Sequence, residues 1–202
     1  MPDEQGATPA RKRGRPTEAE RAQRRDDILD VAVELFVAQG FEAVTLDHIA
    51  ASARVTKRTI YGYLGDRTEV FLAAVERLRE RALGDTLPEG QLSVLSEKIV
   101  HVLHSDAAIG LHRLVVSESR RFPDLAERFY DEGPRRYIAA IESHLSGEDG
   151  GRGEALFGLL LGEPHRQRLL GLRPAPDRAA SAALARTAMA SLHLTDDTKD
   201  DV

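Results

Sequence analysis

At 202 residues, with 33 acidic against 28 basic side chains and a net charge of -5, the chain is long enough for one or two compact domains with a sizeable core. It has no Cys, which excludes a disulfide framework, a Cys-ligated metal and a cysteine nucleophile. The first residues, MPDEQGATPARKRGRP, lack the apolar core of a signal peptide, and the longest apolar run, 155–162, is far below the ~20 residues that span a bilayer, so a soluble cytoplasmic protein with no membrane partner is expected.

The net negative charge argues against nucleic acid only if the charge is spread evenly, and it is not. Arg11, Lys12, Arg13, Arg15, Arg21, Arg24 and Arg25 crowd the start, whereas acids collect in the middle and in the tail TDDTKDD; such asymmetry marks a basic arm. Residues 1–16 have no periodicity and are expected to be disordered in the free protein. Within them Arg13-Gly14-Arg15-Pro16 forms an extended cationic ribbon suited to an A·T-rich minor groove; the alternative is a solubilising tail.

Thr17 and Glu20 make a capping box that starts the first helix, whose buried stripe is Ile28, Val31, Ala32, Leu35 and Phe36, with Gly40 just past its end. From Thr45 to Leu64 two short helices flank a tight turn. The first, capped by Thr45, buries Leu46, Ile49, Ala50 and Ala53. The second, capped by Thr56, buries Ile60 and Leu64 beneath Val55 and leaves Lys57, Arg58, Thr59, Tyr61 and Tyr63 outside. Two cations, hydroxyls and phenols on one short helix are the equipment for phosphates and base edges in a major groove; a solvated helix in an ordinary bundle is the bland alternative. Asp66 to Glu69 repeats the capping pattern and opens a helix to about Leu83.

A break at 84–90 with Pro88 marks a domain boundary. Helices are predicted beyond it over 92–103, 107–121, 125–145, 154–172 and 177–194, and no strand alternation occurs. The expected fold is all-α: a disordered arm (1–16), a head with its connecting helix (17–84), a helical body (85–195) and an acidic tail (196–202). Leu156, Phe157, Leu159, Leu160 and Leu161 cover nearly the whole circumference of their helix, so it must be buried on several sides, and Pro164 should kink it. His101 and His104 share a helix face, a spacing that more often means polar packing than metal. No nucleophile elbow, phosphate-binding loop or dinucleotide fingerprint is present, so no catalytic residue, cofactor or metal is expected.

The sequences AVELFVAQGFEAVTLDHIA and VTKRTIYGYLGDRTEVF resemble the DNA-binding domain of the TetR family of transcriptional regulators. The stretch 111–137, LHRLVVSESRRFPDLAERFYDEGPRRY, is similar to the body of one branch of that family. Three departures stand out: Arg54 in place of the turn glycine, Leu64 in place of Phe, and Asp47-His48 where relatives carry Arg or Asp. The resemblance implies an N-terminal three-helix helix-turn-helix head and a helical ligand-binding and dimerisation bundle. It implies double-stranded DNA as partner, contacted by Arg13, Arg15, Thr45, Thr56, Lys57, Arg58, Thr59, Tyr61, Tyr63 and Arg67, with Arg67 gripping a phosphate. It further implies a homodimer through the last two long helices, represented by Leu156, Leu160, Ala183 and Met189, and a small-molecule effector held near His112, Phe129 and Tyr137. The expected function is a repressor released from a palindromic operator by that effector. The alternatives are a regulator without an effector and a helical ligand carrier.

Overall fold

The computed structural model describes residues 17–84, 91–145, 149 and 151–196. The basic arm with Arg13 and Arg15, the expected boundary at 85–90 and most of the acidic tail lie outside the described residues. Those described form α1 (Glu18–Gln39), α2 (Leu46–Ser52), α3 (Lys57–Tyr63), α4 (Arg67–Leu83), α5 (Leu92–Leu103), α6 (Asp106–Glu118), α7 (Pro123–Glu132), α8 (Pro134–Glu142), α9 (Gly153–Leu169) and α10 (Arg178–Ser191), with no strand among them.

Side-chain caps set the helix starts. Thr17 accepts from the Glu20 amide while Glu20 reaches back to the Thr17 amide at 2.8 Å, and Thr45, Thr56, Asp66, Ser105 and Asp177 each cap the helix that follows. Each such cap contributes about 1 kcal/mol. The larger share comes from burial, at roughly 1.5–3 kcal/mol per large apolar side chain. Ile28, Leu29, Ala32 and Phe36 of α1 are fully buried with Ile49, Ile60, Val70 and Phe71 from α2, α3 and α4. Phe36, Phe41 and Phe71 form a ring triangle with centroids 5.6–5.9 Å apart, and Arg77, a buried cation on α4, donates to the Asp26 carbonyl at 2.9 Å and pairs with Asp30, locking α4 onto α1.

The body continues from α4, which α7 clamps on its outer side. Arg79 donates to the Glu132 carbonyl and carboxylate at 2.7 and 3.1 Å, and Arg128 meets Glu69 at 3.0 Å. On the far side α5 packs against both α4 and α10. Asp196, the first residue of the expected acidic tail, accepts from the Ser93 amide at 2.8 Å and the Ser93 hydroxyl at 2.6 Å. It supplies the anion at an α5 start that has no cap of its own.

Two predicted helices are interrupted. The one expected over 125–145 divides into α7 and α8 at Gly133 (φ -106, ψ -96), because Pro134 disfavours the helical region for the residue before it and lacks the amide to continue the ladder. In α9 the break sits at Gly162 (φ 49, ψ -158), two residues before Pro164. Pro164 has no N–H for the Leu160 carbonyl, and that carbonyl accepts from His104 Nε2 at 3.1 Å instead.

The turn between α2 and α3 carries Arg54 at φ 54, the left-handed region that costs an L residue about 1–2 kcal/mol. Arg54→Gly should therefore leave the melting temperature unchanged or raise it. Arg54→Val, β-branched at the same position, should lose about 1–2 kcal/mol in a denaturant titration. An Arg54→Val protein as stable as the parent would show that the turn relaxes.

Candidate nucleic-acid interface and body cavity

The second short helix is held by one fully buried side chain, Ile60, and by the Thr56 hydroxyl, which accepts from the Thr59 amide at 3.1 Å. The turn before it closes through the Val55 amide to the Ala50 carbonyl at 3.0 Å. With its inner side fixed, α3 presents Lys57, Arg58 and Tyr61 to solvent; Tyr61 is 54% exposed. Arg58 has no hydrogen-bond or ion-pair partner among the described residues. Lys57 meets Asp47 of α2 at 3.0 Å, a contact whose hydrogen bond and charge raise the pKa of Lys57. Thr59 Oγ1 lies 2.8 Å from Thr56 Oγ1, and Tyr63 is half-buried toward α4. Thr45 is occupied as the α2 cap, accepting from the His48 amide at 3.2 Å.

Arg67 is engaged within the head. Its Nη1 donates to the carbonyls of Glu42 and Val44 at 2.9 and 3.3 Å, and its guanidinium lies 4.4 Å from the Phe41 ring centroid. Through these contacts Arg67 fastens the loop between α1 and α2 to the start of α4.

Inside the body a cavity of about 60 Å³ lies between α4, α6, α7, α8 and α9, room for about two waters at ~30 Å³ each. Val75 and Leu78 of α4 form one wall and Phe157, Leu161 and His165 of α9 another. His112, Phe129 and Tyr137, the expected ligand residues, all line it. Tyr137 is 3% exposed, stacks on Phe157 at 6.0 Å, and its buried hydroxyl has no partner among the described residues. Burial pushes its pKa up.

His165 was not singled out from the sequence, although it follows Phe157 and Leu161 at steps of four on the inward face. Its ring lies 5.2 Å from that of His104 and 5.3 Å from that of His112, which in turn is 5.9 Å from Phe129. Burial holds all three imidazoles below the ordinary histidine range. For His165 burial comes first and the neighbouring His104, His112 and Arg168 charges add to it, bringing it to about 4. Because His104 Nε2 donates to Leu160, its Nδ1 is the bare nitrogen, buried and unpartnered. His101 does not join this cluster; it is exposed, with Nδ1 3.4 Å from the Ser181 hydroxyl. Among the described residues no group of three or more His, Asp and Glu side chains is placed to hold a metal ion.

The expected interface residues on the last two helices divide. Leu156, Leu160 and Met189 are 0%, 2% and 5% exposed and belong to the core of this one chain, so they are corrected to packing residues; a subunit cannot touch what its own fold covers. Ala183 faces out, and the exposed apolar side of α9 is carried by Leu159 at 43%.

Comparison with known proteins bears on the whole arrangement. Residues 28–74 match the profile of the bacterial regulatory proteins of the tetR family, and residues 90–151 match that of the AefR-like transcriptional repressor C-terminal domain. The chain belongs to the TetR family. It is 35% identical over 109 residues to the transcriptional regulator AcrR of Shigella flexneri, half of each chain. The chain spans half or less of the length of the curated relatives it matches. Solved TetR structures align more fully: the flavonoid-responsive regulator FrrA at TM-score 0.59 and 26% identity, over 84% of this chain and 95% of that one, and a regulator from Agrobacterium tumefaciens at 0.56 and 26%, over 83% and 93%. The curated relatives are all named as transcriptional regulators, and none bears an enzyme name. Among the described residues no single helix is long and apolar enough to cross a membrane.

This TetR-family body should lose stability on acidification through its neutral imidazoles. The unfolded chain takes up a proton near the ordinary histidine pKa of 6.5, whereas folded His165 holds off to about 4, so stability falls as pH drops from about 6.5 to about 4. The melting temperature should decline across that window, and His165→Leu should decline less steeply; an unchanged slope would place the proton on His165 in the folded state. Tyr137→Phe, which removes an unpartnered hydroxyl, should leave the melting temperature unchanged or raise stability by about 1 kcal/mol.

Proposed function

We propose that the chain is a homodimeric DNA-binding transcriptional regulator, a repressor that leaves a palindromic operator when a small molecule enters the body cavity. The observation that carries the DNA reading is α3, fixed from behind by Ile60 and presenting Lys57, unpaired Arg58 and Tyr61 together. This surface supplies donors for phosphates and guanine edges on an element that fits a major groove. The first 16 residues supply Arg13 and Arg15 for the adjacent minor groove. One seven-residue helix reads too few bases for useful specificity, so two copies on half-sites ~34 Å apart are required. The dimer contact uses the outer faces of α9 and α10, including Leu159 and Ala183. The division into arm 1–16, head 17–84, body 85–195 and tail 196–202, and a cytoplasmic location beside the DNA, follow from this reading.

Effector release is supported by the placement of the cavity against α4. Val75 and Leu78 line the cavity and Phe71 on the same helix packs in the head. A ligand larger than about two waters must displace α7 and α8 from α4, and α4 carries the head with it. FrrA, of the same fold, is by its name flavonoid-responsive, which supports a small-molecule effector here.

A mobility-shift assay on DNA flanking the gene for this chain tests the reading. Arg58→Ala and Lys57→Ala should each weaken specific binding about tenfold with the helical spectrum intact, one good base or phosphate interaction apiece. Asp47→Asn, which removes a carboxylate from the reading face, should tighten binding. Deleting residues 1–16 should flatten the slope of log affinity against log salt by about 0.9 for each phosphate that the shortened chain leaves unneutralised. Binding unaffected by Arg58→Ala at moderate salt would remove α3 from the interface.

A further inference from the structure

We infer that the body cavity, once opened, takes an uncharged, monocyclic phenol, whose hydroxyl is served by the polar side chains of the wall, Tyr137, His112 and His165, while its ring lies among the apolar ones. The inference rests on the proposed effector site and names the chemistry that site accepts.

Among the described residues the cavity wall carries only three polar side chains, His112, Tyr137 and His165, and no Asp, Glu, Lys or Arg. A carboxylate or an ammonium entering it would leave water without a fixed opposite charge, which low-dielectric surroundings penalise heavily. The imidazoles do not supply that charge near neutrality, because burial keeps both in the neutral form and their mutual proximity opposes a second proton. A neutral imidazole offers one N–H and one bare nitrogen.

The Tyr137 hydroxyl is buried with no hydrogen-bond partner among the described residues, and His112, half-buried, and His165, buried, turn their rings to the same space. A buried hydroxyl and two imidazoles, each able to donate and accept, in an otherwise apolar space match a ligand with one group that does both. A phenol donates its acidic O–H to a bare imidazole nitrogen and accepts from the Tyr137 hydroxyl. An aliphatic alcohol is the weaker donor and lacks the flat ring that the faces of Phe129 and Phe157 favour. Size sets the upper limit. The cavity is about 60 Å³, whereas a dry cavity that accepts benzene is ~150 Å³, so even one ring needs the space to more than double. The movable side is the α7–α8 joint, where Gly133 and Pro134 break the helix and line the cavity opposite Val75.

The test uses the full chain at pH 7.5, with calorimetric titration and thermal shift against four probes of one size: 4-ethylphenol, 4-ethylanisole, 4-ethylbenzoate and 4-ethylbenzylammonium. The phenol should bind saturably and raise the melting temperature, the methyl ether should bind about tenfold more weakly because it lacks the donor, and the two ions should give no shift. Tyr137→Phe, which removes the donor to the ligand oxygen, should weaken phenol and methyl ether alike, the phenol about tenfold, with a retained melting transition showing that the fold is intact. Binding of the benzoate or the ammonium as tight as that of the phenol, equal affinity for phenol and ether, or no binding of any probe would each overturn the inference. DNA binding is scored separately by mobility shift without ligand: a chain that binds operator but no phenol sinks this inference alone, whereas one that binds phenol but no DNA sinks the regulator reading and leaves the cavity chemistry standing.

Discussion

A continuous run of aromatic rings joins the head to the centre of the body, and the rest of the structure is arranged about it. Phe36 from α1 and Phe41 from the following loop close on Phe71 of α4. Phe71 meets Phe129 of α7 at 6.4 Å, Phe129 meets His112 of α6, and His112 leads through His165 of α9 to His104 at the end of α5. Each step crosses from one element to another, so the relative placement of six helices is fixed by close-packed rings that tolerate little sliding. The apolar half of the run stabilises the head. The imidazole half is where that packing gives way to a small cavity. The change in chemistry along one chain of contacts separates a region that must hold its shape from one that can open.

Charge is distributed to suit this division. The overall excess of acid does not describe the reading face, where Arg58 is free of carboxylate partners among the described residues and only Asp47 opposes Lys57. Acids elsewhere in the head pair with arginines that join elements: Asp30 with Arg77, Glu42 with Arg121, Glu69 with Arg128, Glu76 with Arg25. Most of these pairs are exposed and individually contribute little. Arg77 is the exception because it is buried and also holds a backbone carbonyl, so removing Asp30 alone takes a partner from a desolvated cation.

Helix starts were the most legible feature of the sequence, since Thr17, Thr45, Thr56, Asp66 and Asp177 announce themselves by a local rule that tertiary packing does not override. The positive φ at Arg54 was legible only through the TetR resemblance, which places a turn glycine there, since nothing local to Arg54 announces it. The division at Gly133-Pro134 was readable in principle, because a glycine followed by proline is a stronger stop than the apolar period that runs through it. Orientation was not readable. A helix apolar on all sides, such as 156–161, carries no signal of which face meets its own chain, and only the structure turns Leu156 and Leu160 inward. Nor can the sequence show that the Arg67 guanidinium finds two carbonyls and a ring, because those acceptors lie some 25 residues away in the chain.

The same packing determines what kind of motion can connect the cavity to the reading helix. Effector and operator can influence each other only through a difference in their affinity for two arrangements of the body, and that influence is reciprocal. Sliding of α4 along α1 is the costly route, because it would break the Arg77 contacts and the Phe36–Phe71 pair together. The chain breaks at Gly133, and the carbonyl of Leu160 is released from its helix by Pro164 and held by His104, whereas α7 stays tied to α4 through Arg79–Glu132 and Arg128–Glu69. On the proposed function, expansion at the Gly133 break would tilt α7 and α4 together with α1 to α3 as one body. In the proposed dimer, two heads that tilt as rigid units would change the distance between their recognition helices without changing either helix, and a palindrome with fixed spacing would read that distance directly.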